Sequence, residues 1–228
     1  VIKFIIISMI SSLFFLLFNI FSISSLYSLS VNGNNTCPKI NTVKNFNLTE
    51  YIKQPWYVQL QQETFYLPLE YNYCVTARYA LSDKKILFYH GKVLDVYNHA
   101  RNQNTNGTSV NKNNFTLCAR IPNPEIPSKL IVAPCFLPNI FGGDYWVIAA
   151  GPQPDNYQWA IISGGQPKIK YSDGCTTSTK FVNDAGLWLF TRQQTPPTKL
   201  IDFMLNKTKS LGFTLQKLNY VQQHGCHY

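Results

Sequence analysis

The sequence predicts an all-β fold: an eight-stranded antiparallel up-and-down β-barrel with one C-terminal α-helix packed on the barrel. Three observations predict it. Between Pro55 and Arg192 the chain is a series of short apolar runs separated by Gly, Pro, Asn and Asp clusters, the pattern of antiparallel strands and turns. Helical periodicity is almost absent until the single amphipathic stretch that follows Pro197. The runs number eight, enough to close a barrel around one small ligand and to remove the exposed edges of an open sheet.

Residues 1–30 read as a secretory signal, because Lys3 precedes an apolar run from Phe4 to about Phe21 and the small residues Ser28 and Ser30 follow. The run is long for such a segment, so an uncleaved signal anchor is the alternative. Residues 31–228 suffice for one domain with a substantial core. Its first strand, Trp56 to Gln61, begins within "KQPWYVQL", where Pro55 is tolerated at a strand start and Trp56 is the first inward side chain. Val58 and Leu60 share the parity of Trp56, while Tyr57, Gln59 and Gln61 face the other way, the period of a half-buried strand. The other strands are Cys74 to Leu81, Gly91 to Ala100, Asn114 to Ile121, Lys129 to Leu137, Asp144 to Ala150, Tyr157 to Ser163 and Gly186 to Arg192. The Asn-rich stretch Arg101 to Asn114 reads as a turn. After Pro196 and Pro197, Thr198 to Leu211 sets Leu200, Ile201, Met204 and Leu205 on one stripe, and Gly212 follows as a stop.

Six cysteines lie beyond residue 30, an even count that fits an oxidising compartment. None stand at CxxC or zinc-type spacing, so disulfides lead over metal or free thiols. Asn-x-Ser/Thr sequons begin at Asn34, Asn47, Asn106, Asn114 and Asn206, which agrees with a secreted glycoprotein. The net charge is +9, but the basic residues are scattered, so they read as a solvated surface, with a membrane surface or an anionic ligand as the second reading. No nucleic acid, cofactor or metal is expected. No catalytic constellation is visible: Ser163-Gly164-Gly165 lacks a strand-to-helix elbow, and His224 and His227, which bracket Cys226, read as exposed histidines.

The ordered stretches "FNLTEYIKQPWYVQLQQ", "NYCVTARYAL", "VLDVYN", "GDYWVIAAGPQPDNYQWAII" and "GLWLFTRQQTPP" resemble the lipocalin family of the calycins, in particular its apolipoprotein D and bacterial lipocalin branch, over Cys37 to Cys226. The resemblance implies that Trp56 plugs the closed floor of the barrel and that Arg192 lies across it, a guanidinium over an indole face. Two departures stand out: Gln54 replaces the family's glycine, and Ala150-Gly151-Pro152 replaces its Thr-Asp-Tyr hairpin. The resemblance further implies disulfides between Cys37 and Cys175 and between Cys74 and Cys226. Cys118 and Cys135 remain, about a hairpin apart on adjacent strands, and a third bridge between them is inferred here.

Parity nominates the pocket. Trp188 and Phe190 share the face of Arg192 and point into the barrel, and Leu94, Val96 and Asn98 share a face opposite Asp95 and Tyr97. Asn98 is then a polar group inside an apolar cup, able to orient a ligand hydroxyl or carbonyl. The resemblance supports Tyr79, Asn98, Phe136, Tyr145 and Trp188 as lining positions, while aromatics filling a solid core are the alternative. The function implied is that of a secreted or endomembrane-lumen lipocalin carrying a small hydrophobic ligand such as a fatty acid, sterol, carotenoid or other isoprenoid. The receptor is left open, and the oligomeric state is read as a monomer or weak homo-oligomer. The alternative is a lipocalin-fold enzyme on a lipid or carotenoid, de-epoxidase-like or isomerase-like, whose thiol route closes if all six cysteines pair.

Overall fold

Pro55 ends the entering segment and Trp56 opens the first strand, after which the chain winds once around a closed sheet. The computed structural model describes residues 36–110 and 116–228, so the signal segment read at residues 1–30 lies outside the described residues. All eight expected strands form. β1 (Trp56–Gln62), β2 (Tyr73–Ser82), β3 (Val93–Arg101), β4 (Leu117–Arg120), β5 (Lys129–Pro134), β6 (Gly143–Gly151) and β7 (Trp159–Ser163) each pair antiparallel with the next. A small hairpin of β8 (Ile169–Tyr171) and β9 (Gly174–Thr176) follows, and β10 (Leu187–Thr191) then pairs with both β7 and β1, which closes the barrel. β11 (Leu218–Tyr220) adds to the far end of β1. Because neighbours are antiparallel, the connections after β1, β3, β5 and β7 gather at one end, and the start of β1 and the end of β10 meet at the other.

Two apolar layers hold this wall. Inside, Trp56, Val58, Leu94, Ala119, Ile162 and Phe190 are all buried in one cluster. Outside, α2 (Thr198–Ser210) sets Met204, with Leu200, Ile201 and Leu205, against Ile148, Ile161, Leu187 and Leu189. Alternating parity on β10 accounts for both layers, since Leu187 and Leu189 face α2 while Trp188 and Phe190 face inward. Gly212 ends the helix with φ +89°, and a Cβ there would also run into Pro38, so conformation and space both require glycine. A short α1 (Leu48–Ile52) precedes β1. Its N-cap is Asn47, whose Oδ1 accepts from Glu50 N at 3.2 Å and whose Nδ2 donates to Asp155 at 2.7 Å. That sequon asparagine is thus engaged, whereas Asn106 and Asn206 are exposed and Asn34 and Asn114 lie outside the described residues.

Strand β1 departs from the simple alternation expected of it. Its register with β10 shifts between Val58 and Leu60, so Leu60 faces outward beside Leu189 and Gln61 stands opposite Trp188 on the inner row. Nor is its outer side wet: Gln59 is buried, donating to Thr191 Oγ1 at 2.9 Å and to the Gln194 carbonyl at 3.1 Å. The cover comes from residues 193–194 and the C-terminal tail, where Gln223 Nε2 bonds the Val58 and Val75 carbonyls at 2.7 and 2.8 Å. β5 stops at Pro134, three residues before the expected end.

All six cysteines are paired. Cys37–Cys175 ties the amino-terminal arm to β9, Cys74–Cys226 ties the tail to β2, and Cys118–Cys135 links β4 to the residue just beyond β5. The last bridge closes a short loop, 17 residues apart in sequence, on the outer face. Replacing both cysteines by serine should lower stability by about 3 kcal/mol with the barrel retained, because the constraint acts mainly on the unfolded chain. Urea unfolding checks this, and an unchanged midpoint would show that the bridge restrains little.

Candidate functional site

Trp56 is fully buried at the closed end, where its Nε1 donates to the Tyr51 carbonyl at 2.9 Å. The Arg192 guanidinium lies over the indole, 3.5 Å from the ring centroid. Around its edge Arg192 donates to the carbonyls of Glu50 and Tyr51 at 2.9 Å, Pro55 at 3.1 Å and Tyr157 at 3.2 Å, and also to that of Gln54. Gln54, where the lipocalin pattern has glycine, therefore serves through its backbone. Burial draws the guanidinium down to about 10, opposed by Tyr51 and Glu50 beside it, so it remains charged at neutral pH.

Above the floor three phenols meet. Tyr145 Oη lies 2.6 Å from Tyr51 Oη and 2.7 Å from Tyr79 Oη, and its ring stacks with that of Trp188 at 6.4 Å. The alternations of β2 and β6 bring Tyr79 and Tyr145 inside, and the turn of α1 brings Tyr51. Three hydroxyls carry three protons but share two hydrogen bonds, so the trio always retains one donor with no acceptor among its members. Burial raises all three phenols above the ordinary range, and for Tyr145 the neighbouring Tyr51 and Tyr79 raise it further. Gln61 adds the complementary group: its Nε2 donates to Asn72 at 2.7 Å, while its buried Oε1 has no partner among the described residues. The amide is oriented by Asn72, whose own nitrogen is directed to the Tyr220 carbonyl at 3.4 Å.

The inner wall is graded from floor to mouth. Phe190 and Val96 are buried in the lower layer, with Phe190 6.2 Å from Trp56 between ring centroids. Higher up, Leu117, Val132, Tyr145 and Trp188 are only partly buried. Asn98 lies on the row of Val96 and Ala100, both packed inside, and beyond the last pair of β3 with β4, Val96 with Leu117, yet unlike them it is exposed. Phe136 sits beyond the end of β5 and is 66% exposed, so it belongs to the rim and not to the wall. Asp95 faces outward and pairs with Lys84 at 2.6 Å. It approaches Cys118 and Cys135, but both sulfurs are spent in one disulfide and offer no thiolate to a metal. Two clefts of about 570 and 420 Å³ lie on the loops outside the barrel, the larger lined by Ile169, Phe181 and Val182 among others. Parity in the sequence led to Trp188, Phe190, Val96 and Asn98; Tyr51 and Gln61 were missed, the first because it precedes the strands and the second because of the bulge.

No protein-family model matches the chain, and no curated protein matches it in sequence. Solved structures do. Apocrustacyanin C2 and lobster apocrustacyanin A1 are each 15% identical with a TM-score of 0.50, over 78% of this chain and 81% of theirs. Insecticyanin from the tobacco hornworm Manduca sexta is 16% identical with a TM-score of 0.50, over 84% of this chain and 89% of its own. At such identities the likeness is one of fold.

Removing the floor cation should be costly. Arg192→Ala should lose about 2–4 kcal/mol in chemical denaturation, since it deletes both the indole contact and several charged hydrogen bonds. Arg192→Lys should recover only part, because one ammonium cannot span carbonyls from separate segments. An ultraviolet absorbance titration should find Tyr145 still neutral where exposed tyrosines ionise, because burial raises it, so that Tyr145→Phe leaves the amplitude reached there unchanged. A smaller amplitude would place Tyr145 in water.

Proposed function

We propose that this lipocalin-fold chain is a secreted carrier, akin to the apolipoprotein D branch, that binds a small hydrophobic molecule inside the barrel. The observation that carries the reading is the gradient along the inner wall: dry and sealed at Trp56, and only partly buried higher up at Leu117, Val132, Tyr145 and Trp188. An apolar cup with a few polar groups is the usual form of a small-molecule site. The spare phenolic proton and the unpartnered Gln61 oxygen favour an apolar ligand that carries an oxygen function, such as a sterol, a fatty acid or an oxygenated isoprenoid, over a bare hydrocarbon. Three disulfides suit an extracellular or lumenal compartment. With every cysteine paired, the reactive-thiol chemistry of an isomerase has no thiol to use.

The test is a tryptophan-fluorescence titration of the secreted protein with oleate, cholesterol and a carotenoid, beside native mass spectrometry of the protein as purified. Trp188→Ala should weaken the best ligand about tenfold or more through lost stacking area, with the fold retained. Tyr145→Phe should weaken an oxygen-bearing ligand and leave its hydrocarbon analogue unaffected. Wild-type affinity in Trp188→Ala, or no binding of any probe, would overturn the barrel as the site.

A further inference from the structure

Arg192 shows what an arginine built into this barrel requires: each of its nitrogens donates to main-chain carbonyls, and an indole covers its face. Arg120, the last residue of β4, is fully buried and has far less. Leu117 and Ala119 of the same strand pack inside, so parity sets Arg120 with Cys118 on the outer row, opposite Val93 of β3 and Ile131 of β5. The outer face is covered at this point. Ile86 and Tyr89, from the turn between β2 and β3, form one cluster with Val93, Cys118 and Cys135. Beneath this cover Nη2 of Arg120 donates to the carbonyls of Pro134 and Leu137, each at 2.9 Å. Its Nε and Nη1 are buried and have no partner among the described residues. A guanidinium carries five N–H donors, so three of them meet no acceptor.

Nor does a counter-charge offset this group. Among the described residues no carboxylate lies within ion-pair distance of Arg120, and Asp95, opposite Cys118 on β3, is held by Lys84 at 2.6 Å. The Tyr89 hydroxyl is also engaged, lying 2.7 Å from the Ile121 carbonyl and accepting from the Ile121 amide at 2.8 Å. Burial draws the guanidinium below its ordinary value, opposed by the Tyr89 phenol beside it, and arginine remains charged at neutral pH. We propose that Arg120 is the centre of an anion site in the outer wall of the barrel, which takes a small monovalent inorganic anion of the chloride class. A buried charge is costly unless it is paired and hydrogen-bonded, and an anion beside Nε and Nη1 supplies both the counter-charge and the acceptor. Neutral water supplies the acceptor alone. The cover sets the size of the occupant: an organic anion or a partner's side chain has no approach to a fully buried guanidinium, whereas a monatomic ion needs little more room than a water molecule. Charge favours its entry, since the covering turn, residues 83–92, carries exposed Lys84, Lys85 and Lys92 against Asp83 alone. Pro134 and Leu137, held by the same guanidinium, stand where β5 passes into its connection, so an ion here joins β4, the turn after β2 and the chain after β5. The site lies outside the cup and is independent of the carrier reading.

The experiment is thermal unfolding of the disulfide-bonded protein in sodium chloride titrated against sodium gluconate at constant ionic strength, beside bromide anomalous diffraction from wild-type crystals. Chloride should raise the midpoint by about 5 °C at saturation. Arg120→Met, which keeps much of the side chain's length and removes its charge, should lose that chloride-specific rise. Arg78→Met, at an exposed arginine of β2, should keep it. Bromide should stand within hydrogen-bonding reach of Nε or Nη1 of Arg120, a readout that holds even where Arg120→Met does not fold. Equal midpoints in chloride and gluconate, a chloride effect that survives in Arg120→Met, or water in place of bromide at those nitrogens would overturn the proposal. Bromide density with no shift of the midpoint would mean an adventitious ion only, and would overturn it as well.

Discussion

The contact between Arg192 and Trp56 is the constraint on which the rest of the barrel depends. One residue follows the last barrel strand and the other opens the first, so the pair joins the two ends of a sheet whose closure spans the whole domain. A guanidinium at this depth is admissible because an indole face and several backbone carbonyls replace its water. Those carbonyls come from the entering turn, from the residues just before β1 and from the start of β7's approach, so one side chain fixes the relative position of three stretches of chain. The planar, forked shape of arginine suits it to that task.

With the floor set, the arms complete the wall from outside. The amino-terminal arm and the tail are each tied by a disulfide to a distant element, and the tail also supplies β11 as a further partner for β1. This explains why the outer face of β1 uses glutamines yet is dry. Their amides bond main-chain carbonyls left free by segments that are not in regular pairing, as Gln59 does with residues 193 and 194 and Gln62 with residues 177 and 178. Leucines there would have left those carbonyls buried without donors, which costs more than the apolar contact returns.

Much of this was legible in the sequence because alternation and punctuation report strands directly. All eight barrel strands, the helix from Thr198 and its glycine stop follow from period, proline and glycine alone. What was not legible has identifiable causes. β8, β9 and β11 are three residues each, too short to show a period. The burial of Gln59 depends on a segment more than 130 residues away, which no local pattern reports. Phe136 was nominated for the wall by the resemblance, within a strand read as far as Leu137, but the strand ends at Pro134 and Phe136 falls on a rim that exposes it. Tyr51 lies in the helical turn before the barrel, outside any strand whose parity could point it inward.

The bulge near Gln59 ties the two ends of the interior together. Had β1 kept strict alternation, Trp56, Val58 and Leu60 would all point inward and Gln61 outward, and the cup would be apolar from floor to mouth. The extra residue leaves Trp56 and Val58 in the seal, sends Leu60 to the helix layer and brings Gln61 to the row of Trp188. The same strand thus builds a dry floor and a polar upper wall, which β6 matches by setting Tyr145 at the height of Trp188 while Val147 is buried lower down. In the proposed carrier, discrimination between an oxygen-bearing ligand and a hydrocarbon would be set by the backbone register before any single side chain, since a one-residue change in β1 would exchange Leu60 and Gln61 between its outer and inner faces.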